Sequence, residues 1–298
     1  SQSSRSAPAV TALAQIAVQR LARFVLVTQD AARLCRFYEQ AMGFCRLAAG
    51  RHSESGTGAD SMTLVLGREF VELLQFDLPG RPYPGAASAS DLCFQHFAIV
   101  VADIEKAYCR LCGVDGWRAI STEGPQRLPA SSGGVSAFKF RDPEGHPLEL
   151  LAFPDGKSPA PWQARPNREL FLGIDHSAIA VSDSARSIAY YQALGLRVAT
   201  RSLNSGCKQA NLDGVGHPEV EVTALAPRQA TPHVELLCYR SAAHHGKAAL
   251  RDSDVAATRL IFELDRHALE NRESREILID PDGHRLVLVA PSLVAKSE

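Results

Sequence analysis

The chain has 298 residues, room for two domains, and its 45% hydrophobic and 22% charged residues are a globular balance able to fill sizeable cores. A net charge of −1 gives no basic footprint for nucleic acid or acidic membranes, and no apolar run reaches membrane-spanning length. The opening SQSSRSAPAVTALAQ lacks the apolar core of a secretory leader, and seven cysteines, an odd number, are expected as reduced thiols of a cytoplasmic protein, none with an assigned role.

Residues 1–20 are expected to be a flexible N-terminus. RFVLVT (23–28) then reads as a short apolar strand. DAARLCRFYEQAMGF (30–44) follows with Asp30 as a helix N-cap, Gly43 as a helix stop, and Ala31, Leu34, Phe37, Tyr38 and Ala41 at helical spacing. Strand-like runs end in FVELLQF (70–76), and the proline-rich DLPGRPYPGAAS (77–88) separates this unit from the next. The pattern restarts at HFAIVVADIEKAYCRLCGV (96–114), closing with HPLELLAF (146–153). It restarts again at HSAIAV (176–181) with DSARSIAYYQALGL (183–196), closing with HVELLCY (233–239). A weaker fourth copy begins at TRLIFELDRHALEN (258–271) and closes with HRLVLVA (284–290). The coarse reading is an α+β chain with β-α-β-β-β repeated four times. The expected boundaries are 21–153 for modules one and two, a proline-rich linker at 154–169, and 170–292 for modules three and four.

The capping aspartates set the register between copies. Seven residues before Asp30, Asp103, Asp183 and Asp265 stand Arg23, His96, His176 and Thr258. On the closing strands the matched residues are Glu72, Glu149, Glu235 and Val287, so only modules two and three carry a His and a Glu. The turns RDPEGHPLELL (141–151) and IDPDGHRLVLV (279–289) are near copies, yet one carries Glu149 where the other carries Val287. His146 and His284 in these turns are expected to bond the turn backbone. His233 shares a strand face with Glu235, and His244 and His245 fall in a polar loop.

The Asp-capped helix ending in GF or GL, the strand His, the VELL strand and the DPxGH turn together resemble the vicinal oxygen chelate superfamily. That superfamily includes glyoxalase I, extradiol dioxygenases and bleomycin-resistance proteins. The resemblance runs from Leu21 to Ala290. It implies modules paired into two half-open barrels, with a divalent metal ion (Ni, Co, Zn, Mn or Fe) held inside by the first and last strands of paired modules. Imidazole and carboxylate suit such ions. The implied ligands are His96, Glu149, His176 and Glu235.

Two pairings are open. Pairing of neighbours gives barrels one-two and three-four. Pairing of the inner modules puts all four ligands in one barrel and leaves modules one and four metal-free; the joint losses in the outer modules favour it. There Arg23 is expected to meet Glu72 in a buried pair with two parallel hydrogen bonds, replacing the ion with a fixed cation. The resemblance implies a small-molecule substrate with vicinal oxygens, handled by a glyoxalase-type lyase or isomerase through an enediolate. One of Glu149 and Glu235 would move the proton. The alternatives are an extradiol-type dioxygenase and a non-catalytic small-molecule binder. No glutathione-binding signature is visible.

Overall fold

The computed structural model describes residues 17–54, 56–163, 169–240, 249–265 and 275–291. Module one comprises β1 (Val18–Val27), α1 (Ala31–Met42), β2 (Cys45–Glu54), β3 (Thr57–Leu66) and β4 (Glu69–Phe76). Module two comprises β5 (Gln95–Val101), α2 (Ile104–Cys112), the two-residue β6 (Arg118–Ala119) and β7 (Gln126–Arg127), β8 (Ser136–Arg141) and β9 (Pro147–Ala152). Module three comprises β10 (Phe171–Ala180), α3 (Ser184–Ala193), β11 (Arg197–Ser205), an inserted helix α4 (Cys207–Asp213), β12 (Glu219–Ala226) and β13 (His233–Tyr239). The described part of module four contains β14 (Arg259–Leu264), β15 (Arg275–Ile279) and β16 (Arg285–Val289); its expected helix lies outside the described residues. The first strand opens at Val18, earlier than Leu21.

The capping logic holds. Asp30, Asp103 and Asp183 each accept from the backbone N–H three residues on, satisfying a donor that the helix start leaves open. Gly43 takes a left-handed conformation (φ 71°), which a residue with a Cβ adopts only under strain. None of the seven cysteines forms a disulfide, and Cys109 and Cys112 ride exposed on α2 in a Cys-x-x-Cys spacing. No helix among the described residues is long and apolar enough to cross a membrane.

The strands form two sheets. One has the order β15-β16-β14-β1-β4-β3-β2, and the other β11-β12-β13-β10-β5-β9-β8-β6, with β7 paired to β8. Modules one and four therefore share a sheet, as do modules two and three. Each sheet is joined at its middle by an antiparallel seam between first strands, β1 with β14 and β10 with β5. Alternation then divides each strand between two surroundings. Phe97, Ile99 and Val101 of β5 enter a core shared with Phe24 and Leu26 of β1, α1 and the other sheet, whereas His96 and Ala98 face away from it. That opposite face of the larger sheet lines a cavity of about 560 Å³ reached by strands from β11 to β8, so the sheet curls around it.

The register corrects one position. Val25 faces both Glu72 and Arg259, as Ala178 faces both Glu235 and His96. Ile261 in turn faces Val287. The residue of module four matching the strand His is thus Arg259, not Thr258: the seven-residue count from Asp265 slips by one. Both outer modules carry arginine where the inner modules carry histidine. Arg259 is buried, donates to the Ala257 and Asp252 carbonyls and lies over Phe76. Arg23 Nη1 donates to Glu72 Oε2 at 3.1 Å, and His52 Nε2 lies 3.4 Å from Oε1. The expected pair is present, but with one hydrogen bond rather than two, and the Arg23 side chain is 38% exposed.

The DPxGH turns do more than close on themselves. His146 offers Nδ1 to Asp142 at 2.8 Å and Nε2 to the Val27 carbonyl of module one at 2.9 Å, while Tyr38 of α1 donates to the same Asp142. Repeating this, His284 Nε2 donates to the Ala180 carbonyl and Tyr191 of α3 donates to Asp280. Sheets join modules two with three and one with four, and these turns tie one to two and three to four. A carboxylate and a carbonyl both accept, an arrangement that favours a proton on each ring nitrogen of His146. Burial alone would lower its pKa; the Asp142 carboxylate outweighs burial and raises it.

A folded-state pKa above the unfolded one gives stability that is full below about pH 6.5 and is lost as pH rises through the folded value. His146→Gln should therefore flatten the fall of stability above pH 6.5, measured by urea unfolding of the metal-free protein. At pH 6, His146→Ala should cost about 3–5 kcal/mol, because Asp142 is left buried without its cation. Arg23→Ala, removing the partly exposed partner of a carboxylate that His52 also meets, should cost about 1 kcal/mol or less in the same measurement and leave metal content unchanged.

Candidate functional site

The seam between β10 and β5 sets Ala178 opposite His96 and Ala98 opposite His176, and the parallel neighbours set Glu149 beside Ala98 and Glu235 beside Ala178. Small alanines between the ligand positions leave the four long side chains room to converge. His96 and His176 have ring centroids 6.0 Å apart, and donor atoms of His96, Glu149 and His176 lie within 4.8 Å of one another. Glu235 Oε2 lies 3.4 Å from His176 Nε2. All four predicted residues line the cavity on the larger sheet. His233 lines it too, 3.4 Å from Glu235 Oε1, whereas His146 and His284 are taken up by the turns. His244 and His245 lie outside the described residues.

His96 is buried, and neither of its ring nitrogens has a hydrogen-bond partner. Nε2 approaches Glu149 Oε2 to 2.9 Å, an ion-pair distance without hydrogen-bond alignment. Buried polar atoms are rarely left so. An orphaned imidazole facing two carboxylates and a second imidazole is the donor set of a borderline divalent ion, and these residues fit one. Burial drives the His96 pKa down and so favours the neutral ring, the form that can ligate. Burial opposes ionisation of both glutamates, but His96 and then Lys139 hold Glu149 below the usual carboxylate range. His176 and then His233 hold Glu235 near about 2.

Several residues of the site were not legible as site residues. Lys139 of β8, cross-strand from Glu149, is buried with Nζ 2.6 Å from Asp213 and 4.0 Å from Glu149. Asp213, on the inserted α4, also accepts from Tyr239 and Gln209. Burial lowers the Lys139 pKa, and Asp213 and Glu149 outweigh it, so the net shift is upward. The signal in sequence is a lone lysine in the apolar run SAFKFR. Asp175 Oδ2 lies 2.9 Å from His176 Nδ1, and Trp162 Nε1 donates to Asp175 Oδ1 at 2.7 Å. A carboxylate directly before the strand histidine was visible, but adjacent strand residues ordinarily face opposite ways.

A family model described as Glyoxalase/Bleomycin resistance protein/Dioxygenase superfamily matches residues 20–150. A virulence protein of Salmonella typhimurium is 26% identical over 147 residues, covering 47% of this chain and 88% of that protein. Among solved structures, glyoxalase I from Zea mays aligns with a TM-score of 0.60 at 18% identity, over 91% of this chain and 92% of that one. A putative dioxygenase from Bacillus subtilis aligns with a TM-score of 0.52 at 9% identity, over 92% and 86%. At such identities these two establish the fold and nothing finer. Residues 20–150 thus match the model of the glyoxalase, bleomycin-resistance protein and dioxygenase superfamily, and the described residues carry the fold seen in glyoxalase I.

Proposed function

We propose that the chain is a metal-dependent lyase or isomerase of glyoxalase type, acting on a small substrate with vicinal oxygens through an enediolate. The observation that carries this reading is the orphaned His96 imidazole, buried in a cavity of about 560 Å³ beside Glu149, His176 and Glu235. A divalent ion held by those four residues would supply Lewis-acid stabilisation of the enediolate charge. The chain's own groups do the rest. Leu128, Leu151, Leu212 and Leu237 line the cavity and exclude water from the substrate.

The two glutamates stand differently. Glu149 is 8% exposed and held between His96 and Lys139. Glu235 is 23% exposed, stands beside His233 and has alanine, not lysine, as its cross-strand neighbour on β12. Moving Glu235 costs less, so Glu235 is assigned as the base that takes the proton from the carbon beside the carbonyl and returns it to the neighbouring carbon. The extradiol alternative is weaker. By resemblance its triad comes from modules three and four, which lie here in different sheets, and module four offers only Arg259 and Val287.

Elemental analysis after reconstitution should find one ion per chain. Two ions would contradict the pairing of ligands, and none would favour a non-catalytic binder. His96→Ala and His176→Ala should each abolish tight uptake. Glu235→Gln should keep the fold and lower turnover of a hemithioacetal or 2-oxoaldehyde test substrate by about 10²–10⁴-fold. Full turnover in that variant would remove Glu235 from the mechanism.

A further inference from the structure

The seam of each sheet contains a matched irregularity. In β1 the register shifts between Leu21 and Arg23, leaving Ala22 as an extra residue, and in β10 it shifts between Ile174 and His176, leaving Asp175. A bulge of this kind breaks the alternation, so a residue and its neighbour both turn to one face. Asp175 and His176 accordingly both line the cavity. In the other sheet the same device carries only Ala22 ahead of Arg23. No bulge precedes His96, where Gln95 instead reaches Ser177 across the seam. A carboxylate at the bulge thus occurs in the sheet with the ligand set, behind one of its two histidines.

That carboxylate is anchored from an unexpected direction. Trp162 comes from the proline-rich stretch that the sequence presents as a spacer. It stands at the end of a 3₁₀ turn (Ala160–Trp162), is buried against Val100 and Leu172, and gives its indole N–H to Asp175 Oδ1. Its ring lies where a Cβ on Gly173 would come within 2.7 Å, so the glycine admits it against β10. The remaining Asp175 oxygen faces His176 Nδ1 at 2.9 Å, while Nε2 faces the glutamates.

We infer that Asp175 and Trp162 are positioning residues for a metal ion at His176, an inference resting on the metal reading above. Asp175 holds the proton of His176 on Nδ1 and leaves the Nε2 lone pair for the ion; Trp162 fixes the carboxylate that does so. Carboxylates or carbonyls behind metal-ligating histidines have this role generally, and losing one weakens metal binding about 10–100-fold. Here the linker between the two halves of the chain is part of the site.

The test uses the full chain and Co(II), with affinity read by chelator competition and the His176 Nδ1 proton read by NMR of the metal-free protein. His176→Gln identifies the signal by its loss. Wild type should bind Co(II) and show a downfield, exchange-protected Nδ1 proton. Asp175→Asn presents an amide N–H to Nδ1, shifting the proton to Nε2; it should lose that signal and weaken Co(II) binding about 10–100-fold. Trp162→Phe keeps most of the packing, and should weaken the signal and the affinity in the same direction by a smaller factor. Thermal unfolding of the metal-free variants separates this from loss of fold. If Asp175→Asn unfolds, Trp162→Phe decides alone. Wild-type affinity and an intact Nδ1 signal in the folded variants would overturn the inference while leaving the metal reading standing. A wild type that takes up no Co(II) would overturn both.

Discussion

A carboxylate inside a barrel lined with leucine and valine has to meet a cation, and that requirement explains how the four modules differ. Glu149 faces His96 and Lys139, Glu235 faces His176 and His233, and Glu72 faces Arg23 and His52. Module four has an apolar residue at the same place, Val287, which is fully buried and packs with Val25 and Ile261. The arginine matching the strand histidine there, Arg259, turns to backbone carbonyls. The contrast between Glu149 and Val287 in two near-identical turns is therefore a contrast of surroundings. Where neighbouring imidazoles stand beside it, the carboxylate is kept; where the matching position holds a guanidinium, it is kept in one of two modules.

The chain reaches this arrangement by connecting its modules in two different ways. Backbone ladders join modules two and three and modules one and four. The buried Asp-His turns, with Tyr38 and Tyr191, join one to two and three to four. Each module thus has one sheet neighbour and one turn neighbour, and the four form a closed ring around the shared core of Phe24, Phe97, Phe138 and Phe262. Closing the ring through the first strands is what carries His96 and His176, 80 positions apart in the chain, to within reach of one ion.

Local physics was legible in the sequence. Aspartate caps, glycine stops and alternating strands located the helices and closing strands to within a few residues, and the repeat carried the four ligand candidates with it. What failed to read out depends on registers between strands far apart in the chain. The count from Asp265 chose Thr258 because nothing in one strand announces which residue its partner faces. Ordinary strand alternation gives Asp175 no place beside the His176 ring, because a bulge is a property of two strands. Trp162 sat among prolines, glycines and charges that read as linker, and α4 interrupts a run expected to be strand only.

The repeat supplies the same His and Glu twice, and a symmetric site would give neither carboxylate a reason to act differently from the other. The differences come from residues that the repeat does not share. Lys139 and Asp213, the latter carried in by α4, bring a buried ion pair to the module-two half. The module-three half has its histidine on a bulge, steadied by Asp175 and Trp162, and its glutamate at the wetter side of the cavity beside His233. One glutamate is thus more enclosed than the other. A reaction that lifts a proton from one carbon and lowers it on the next needs one fixed ligand and one movable base. The proposed assignment of Glu235 as base rests on that difference in surroundings, Lys139 and Asp213 on one side and His233 on the other.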